Sequence, residues 1–183
     1  MIAIIGKSGV GKTTLLNILE ARGFKTFIAD NYVKNIYKKG SIGYKKIQEI
    51  LGDQYVNEYE VDKKALRDSI IQDYNFVDKL EKIIYPIIED HLKNHHYDFA
   101  EVPNIYTSNG NFVPLFNKII RIETSEKIRL KNLKKRNVNN LEKNVIDTLN
   151  KGFFNDKVVN IWCTKVTTKK FLKKIFEIFF TAS

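Results

Sequence analysis

Short unbroken apolar runs alternate along the chain with longer runs in which apolar residues recur every three or four positions. The two patterns predict different elements. Residues 2–5, Ile-Ala-Ile-Ile, contain no polar member and read as a strand buried on both faces. From Thr13 onward, Leu15, Leu16, Ile18 and Leu19 return at helical spacing until Gly23 stops the pattern. Residues 25–29 predict a second strand closed by Asp30, and helical segments follow at 32–39 and 42–51, parted by Gly40 and Ser41. Asp62 suits the N-cap of a helix reaching Ile71, because its carboxylate can accept the unpaired N–H groups of the first turn. A longer helix is expected over 76–93, interrupted or kinked at Pro86.

Residues 97–102 predict a third strand ending in Glu101-Val102-Pro103, followed by a polar loop at 104–111 and a fourth strand at 118–122. Ser125 is placed to cap a helix reaching about Arg136, and another helix is expected at 139–151. A short strand at 158–162 and a helix at 167–180 close the chain. Phe171, Leu172, Ile175, Phe176 and Phe179 share one face of that last helix, a stripe that reads as core. Strands alternating with helices imply an α/β fold of three layers, a parallel sheet flanked by helices. At 183 residues one domain is expected, with a helical insertion at about 40–95 and a lid at about 125–151.

Composition narrows the function. An apolar fraction of 43% is enough for a core and excludes general disorder. The single cysteine, Cys163, excludes an internal disulfide and a Cys-rich zinc site. The apolar runs are too short to span a bilayer, and residues 2–5 run straight into glycine with no basic flank, so the chain is expected in the cytoplasm. The net charge of +10 points toward anionic partners. Yet 26 of the 31 basic residues are lysine, in a chain also rich in Ile and Asn, as AT-rich coding favours. No dense basic stretch carries interleaved aromatics, so neither a nucleic acid nor a membrane is expected as partner; the oligomeric state is left open.

Residues 6–13, Gly-Lys-Ser-Gly-Val-Gly-Lys-Thr, match the P-loop pattern Gly-x4-Gly-Lys-Ser/Thr, with a strand before it and an amphipathic helix after it. Glycines let the backbone curl until successive N–H groups point to one place, and the helix N-terminus adds its positive dipole end. Gly6, Ser8, Gly9, Val10, Gly11, Lys12, Thr13 and Thr14 are therefore the candidate ATP contacts. Lys12 is expected to reach the β and γ phosphates, and the Thr13 hydroxyl to bind Mg²⁺. The GTPase strings Asp-x-x-Gly, which senses the γ phosphate, and Asn-Lys-x-Asp, which reads guanine, are both absent. A compact ATP-using kinase acting on a small molecule remains, a type that places an acid after the second strand and arginines on a lid.

Beyond the P-loop, the chain resembles the dephospho-CoA kinase family. The motifs are Ile28-Ala29-Asp30 after the second strand, Val61-Asp62-Lys63-Lys64-Ala65-Leu66, the stretch Leu80-Glu81-Lys82-Ile83-Ile84-Tyr85-Pro86-Ile87-Ile88, Glu101-Val102-Pro103-Asn104-Ile105 and a lid helix ending at Arg136. The chain departs from the family pattern at Ile28, usually aspartate, at Lys63, usually arginine, and at Tyr85, usually histidine. Asn132 stands where an arginine usually precedes the lid arginine by four residues, and a polar loop replaces the apolar continuation after the third strand.

The resemblance implies transfer of the ATP γ phosphate to the ribose 3′-hydroxyl of dephospho-CoA, with Mg²⁺ as the only metal. Under it Lys12, Asp30 and Arg136 are the catalytic candidates, and Asp30, Asp62 and Glu101 contact the acceptor. Asp30 accepts or orients the hydroxyl proton; capping the next helix is a compatible role. Glu101 either holds Mg²⁺ through water, orients the acceptor, or is an ordinary strand-end carboxylate. Arg136, with Lys134 and Lys135, closes over the phosphates or belongs to a solvated helix end. His91, His95 and His96 read as exposed residues of a helix end. A nucleoside or nucleoside monophosphate kinase, an ATP-holding switch without transfer, and a nucleic-acid binder are the alternatives.

Overall fold

A computed structural model describes residues 1–102, 104–135 and 158–181. They form two compact units: those within 1–28, 96–106 and 112–181 make the first, those within 29–95 and 107–111 the second.

The first unit is built on a five-stranded, wholly parallel sheet: β1 (Ile2–Ile5), β2 (Thr26–Ile28), β3 (Phe99–Glu101), β4 (Lys118–Glu123) and β5 (Val158–Trp162). The strand order is β2-β3-β1-β4-β5, so β1 lies at the centre and the chain builds first to one side of it and then to the other. The crevice at the carboxyl ends of the strands, where the order reverses, is where open parallel sheets bind ligands. Residues 2–5 are buried throughout, as a central strand covered on both faces requires. Helices α1 (Lys12–Glu20), α6 (Glu126–Lys135) and α7 (Lys169–Phe180) belong to this unit. Phe171, Leu172 and Ile175 of α7 join Leu15, Leu16 and Leu19 of α1 in one core with Ile4 and Phe99, so the aromatic stripe is core. Thr168 caps α7, its side chain accepting from the Phe171 N–H.

The second unit is helical: α2 (Ala29–Ile36), α3 (Ile42–Leu51), α4 (Lys63–Gln72) and α5 (Phe76–Asn94). Asp62 caps α4 as its type predicts, accepting from the N–H groups of Lys64 at 2.9 Å and Ala65 at 3.0 Å. α5 runs unbroken through Pro86, so of the expected interruption or kink it is the interruption that does not occur. Proline removes one backbone hydrogen bond, but Ile83, Ile84, Tyr85, Ile87 and Ile88 are all buried around it, and their packing holds the helix together. The polar loop after β3 is pinned to α5: Thr107 Oγ1 donates to Glu81 at 3.0 Å, Asn109 Nδ2 to Asp78 at 2.7 Å, and the Asn111 N–H to Glu89 at 2.9 Å.

Other boundaries also shift. β2 covers only three residues and α2 starts at Ala29, three residues before the expected helix. The third strand is likewise three residues rather than six. His91 is half-buried, its ring stacked between Tyr32 at 4.2 Å and His95 at 4.0 Å, so it is not an exposed helix-end residue; His95 and His96 are. Burial, then the neighbouring His95, holds the His91 imidazole below its ordinary range, against a smaller opposing pull from Asp90. The expected helix at 139–151 lies outside the described residues.

Candidate active site

The P-loop joins the carboxyl end of β1 to the first turn of α1. Gly6 turns the chain out of the strand at φ 140°, and a Cβ there would lie 2.5 Å from the Ile122 carbonyl oxygen, so the backbone of β4 leaves room for glycine alone. α1 begins at Lys12 with no side chain capping it. Its first N–H groups and positive dipole end are thus left for an anion.

The Lys12 ammonium is folded back over the loop, donating to the carbonyls of Gly6 at 2.9 Å and Lys7 at 3.4 Å. It also stands 3.3 Å from Glu101 Oε1 at the end of β3, both side chains being 13% exposed. Thr13 Oγ1 donates to the other carboxylate oxygen, Oε2, at 3.2 Å. One carboxylate therefore gathers the two P-loop side chains that the motif assigns to phosphate and metal. Electrostatically it stands in for the anion that the loop is shaped to hold. Among the described residues no group of three or more His, Cys, Asp or Glu is placed to hold a metal ion. The Thr13 hydroxyl and the Glu101 carboxylate are nonetheless hard oxygen donors side by side, a set that fits Mg²⁺ when phosphates and water supply the other ligands.

Of the remaining predicted residues, Val10 and Gly9 are buried, Ser8 is half-buried and Thr14 is exposed. Asp30 is not a strand-end residue: it is the second residue of α2, exposed, two positions past the end of β2, where Ile28 pairs in register with Glu101. It belongs to the helical unit, where its charge, with the hydrogen-bonded Glu81, helps to keep the buried Tyr85 phenol protonated; burial is the larger cause. Asp62 caps α4 through its Oδ1. Lys134 and Lys135 end α6 exposed, and Arg136 lies outside the described residues.

Two residues of the site were not singled out from the sequence for this place. Arg129 of α6 is 2% exposed, the only charged side chain among the described residues to be buried. Its Nε and Nη2 donate to Glu126 at 2.8 and 2.7 Å, and Nη1 lies 3.4 Å from the Ser8 carbonyl. Three residues on, Asn132 Nδ2 donates to the Gly9 carbonyl at 2.7 Å. The available signal was the spacing of Glu126, Arg129, Asn132 and Leu133 on one helical face, masked by the surrounding lysines.

A family model described as Dephospho-CoA kinase matches residues 1–157. The Dephospho-CoA kinase of Mycoplasma genitalium is 30% identical over 135 residues, covering 70% of this chain and 68% of that protein. Among solved structures, Dephospho-CoA kinase from Campylobacter jejuni is similar with a TM-score of 0.58 at 19% identity, over 100% of this chain and 98% of that one. A Thermus thermophilus protein gives a TM-score of 0.72 at 14% identity, over 98% and 95%. At those identities the structural likeness speaks for the fold.

Proposed function

The chain belongs to the dephospho-CoA kinase family, and from that premise we propose how its own residues serve the reaction. It is a kinase that uses ATP to phosphorylate the ribose 3′-hydroxyl of dephospho-CoA, giving coenzyme A and ADP. The family match favours this acceptor over a free nucleoside or nucleoside monophosphate.

The observation that carries the reading is the convergence of Lys12 and Thr13 on Glu101 at the mouth of a glycine-rich loop. On ATP binding, the Lys12 ammonium exchanges Glu101 and its loop carbonyls for the β and γ phosphates. There it offsets the charge that builds as the γ phosphoryl group moves. The P-loop N–H groups and the first turn of α1 fix the phosphate chain, so the transferred group is held in one orientation. Mg²⁺, when bound, neutralises phosphate charge, and Thr13, with Glu101 through water, would hold it.

Asp30 accepts the proton of the attacking hydroxyl. The support is chain topology: β2 runs parallel to β3 and β1, and Asp30 follows its carboxyl end by two residues. Arg136 neutralises charge on the transferring group from the lid, as its place in the family motif suggests. Asp62, which caps α4, contacts the acceptor, as its place in the family motif suggests. The cytoplasm, which supplies ATP, is the proposed compartment.

The experiment is ADP release in the presence of ATP, Mg²⁺ and dephospho-CoA, with Lys12→Ala alongside. Lys12→Ala is expected to lose nearly all transfer while the fold survives, its melting temperature lowered because Glu101 loses its partner. Equal turnover at saturating ATP would remove the P-loop from the reaction.

A further inference from the structure

Three side chains of α6 meet the P-loop on one helical face. Arg129 Nη1 lies 3.4 Å from the Ser8 carbonyl, Asn132 Nδ2 donates to the Gly9 carbonyl at 2.7 Å, and Leu133 is buried against the same loop. The approach is close enough to dictate the loop's sequence. Gly9 sits at φ +87°, and a Cβ there would fall 3.0 Å from the Arg129 carbonyl oxygen and 3.0 Å from Leu133 Cγ. The P-loop pattern itself leaves that position open. The left-handed backbone and the closeness of α6 together favour glycine at residue 9.

The two carbonyl contacts have a directional consequence. A peptide unit is planar and trans, so its C=O and the next residue's N–H point in opposite directions. Drawing the Ser8 and Gly9 carbonyls toward α6 turns the N–H groups of Gly9 and Val10 away from it. Residues 9 and 10 lie in the stretch whose N–H groups make a phosphate nest. The Val10 N–H donates to the Lys7 carbonyl at a long 3.4 Å, a contact that a phosphate oxygen would replace. Arg129 is itself held in place, its guanidinium clamped by Glu126 at 2.8 and 2.7 Å.

We propose that Asn132 and Arg129 are positioning residues of the nucleotide site, holding two P-loop carbonyls so that the Gly9 and Val10 N–H groups face the phosphates. This deepens the kinase reading and rests on it. It also gives Asn132, one of the departures from the family pattern, a task that its short amide suits: donating to a carbonyl 2.7 Å away.

The test is Asn132→Asp, which keeps the shape but sets an acceptor against the Gly9 carbonyl. ADP and pyrophosphate binding by calorimetry, and steady-state kinetics, are compared in the full chain. Dissociation constants for ADP and pyrophosphate, and KM for ATP, should rise about tenfold, the worth of one to two hydrogen bonds. KM for dephospho-CoA and kcat should stay within about twofold. Asn132→Gln, which keeps an amide donor, should recover most of the loss, and Asn132→Ala gives the same comparison if the aspartate variant does not fold. Unchanged ADP and pyrophosphate affinity would overturn the proposal. So would equal losses for both substrates that track a fall in melting temperature, because a merely structural contact behaves that way. If the parent binds neither ADP nor pyrophosphate, the nucleotide reading itself fails and the proposal falls with it.

Discussion

Glu101→Gln separates stability, nucleotide binding and turnover, which should move in different directions. The carboxylate faces the Lys12 ammonium at 3.3 Å, with both side chains 13% exposed. At an effective dielectric constant near 20, the raw Coulomb attraction at that distance is about 5 kcal/mol. Most of it is offset by desolvation, and Gln keeps one oxygen for Lys12 while its NH2 can donate to the Thr13 hydroxyl, so the net loss should be about 1–3 kcal/mol. For a chain of this size that lowers the melting temperature by roughly 3–10 °C. Metal-free ADP should bind more tightly, by roughly tenfold, because a like charge beside the phosphates has gone. Turnover with Mg²⁺ should nevertheless fall by about 10- to 100-fold, the cost of losing a carboxylate that would hold the metal through water. Differential scanning calorimetry, ADP titration in a chelator, and ADP release with dephospho-CoA read the three quantities. Parental turnover, or weaker metal-free ADP binding, would refute the view that Glu101 stands in for phosphate and then serves the reaction.

Asp30→Asn removes the proposed base without changing the size of an exposed residue in the first turn of α2. kcat should fall by about 10² to 10⁴ with ATP affinity within a few-fold; unchanged kcat would move the base elsewhere. The pH dependence of stability should carry a His91 component. Its folded imidazole is held below the ordinary 6.5, so the unfolded chain binds the proton more readily. The stabilisation is complete above about pH 6.5 and is lost on acidification, so the fall in melting temperature from about pH 7.5 to 5.5 should be smaller in His91→Gln than in the parent. Parallel slopes would remove His91 as the cause.

Elements with an unmixed pattern were legible in the sequence. Residues 2–5, 42–51 and 158–162 are found with the bounds that their patterns predict, and the α7 stripe is core. The P-loop was legible because its chemistry is local: eight consecutive residues carry the turn, the ammonium and the hydroxyl. Asp30 was misplaced because β2 passes into α2 with no intervening polar residues, so nothing in the pattern marks where one ends. Pro86 was read by its local cost alone, and the buried isoleucines on either side outweigh that cost. The α6 contacts with Ser8 and Gly9 join residues more than a hundred positions apart. Arg129 and Asn132 sit among lysines that read as a solvated or lid surface, and only the packing distinguishes the inward face.

The central claim is chemical, and the identity of the product tests it most directly. Parent enzyme incubated with ATP, Mg²⁺ and dephospho-CoA, and followed by ³¹P NMR, should convert ATP to ADP with matching growth of one phosphomonoester on the ribose 3′ carbon. Nucleosides and nucleoside monophosphates offered at the same concentration should give far less. A phosphorylated nucleoside or nucleoside monophosphate as the favoured product, with dephospho-CoA left untouched, would contradict the account.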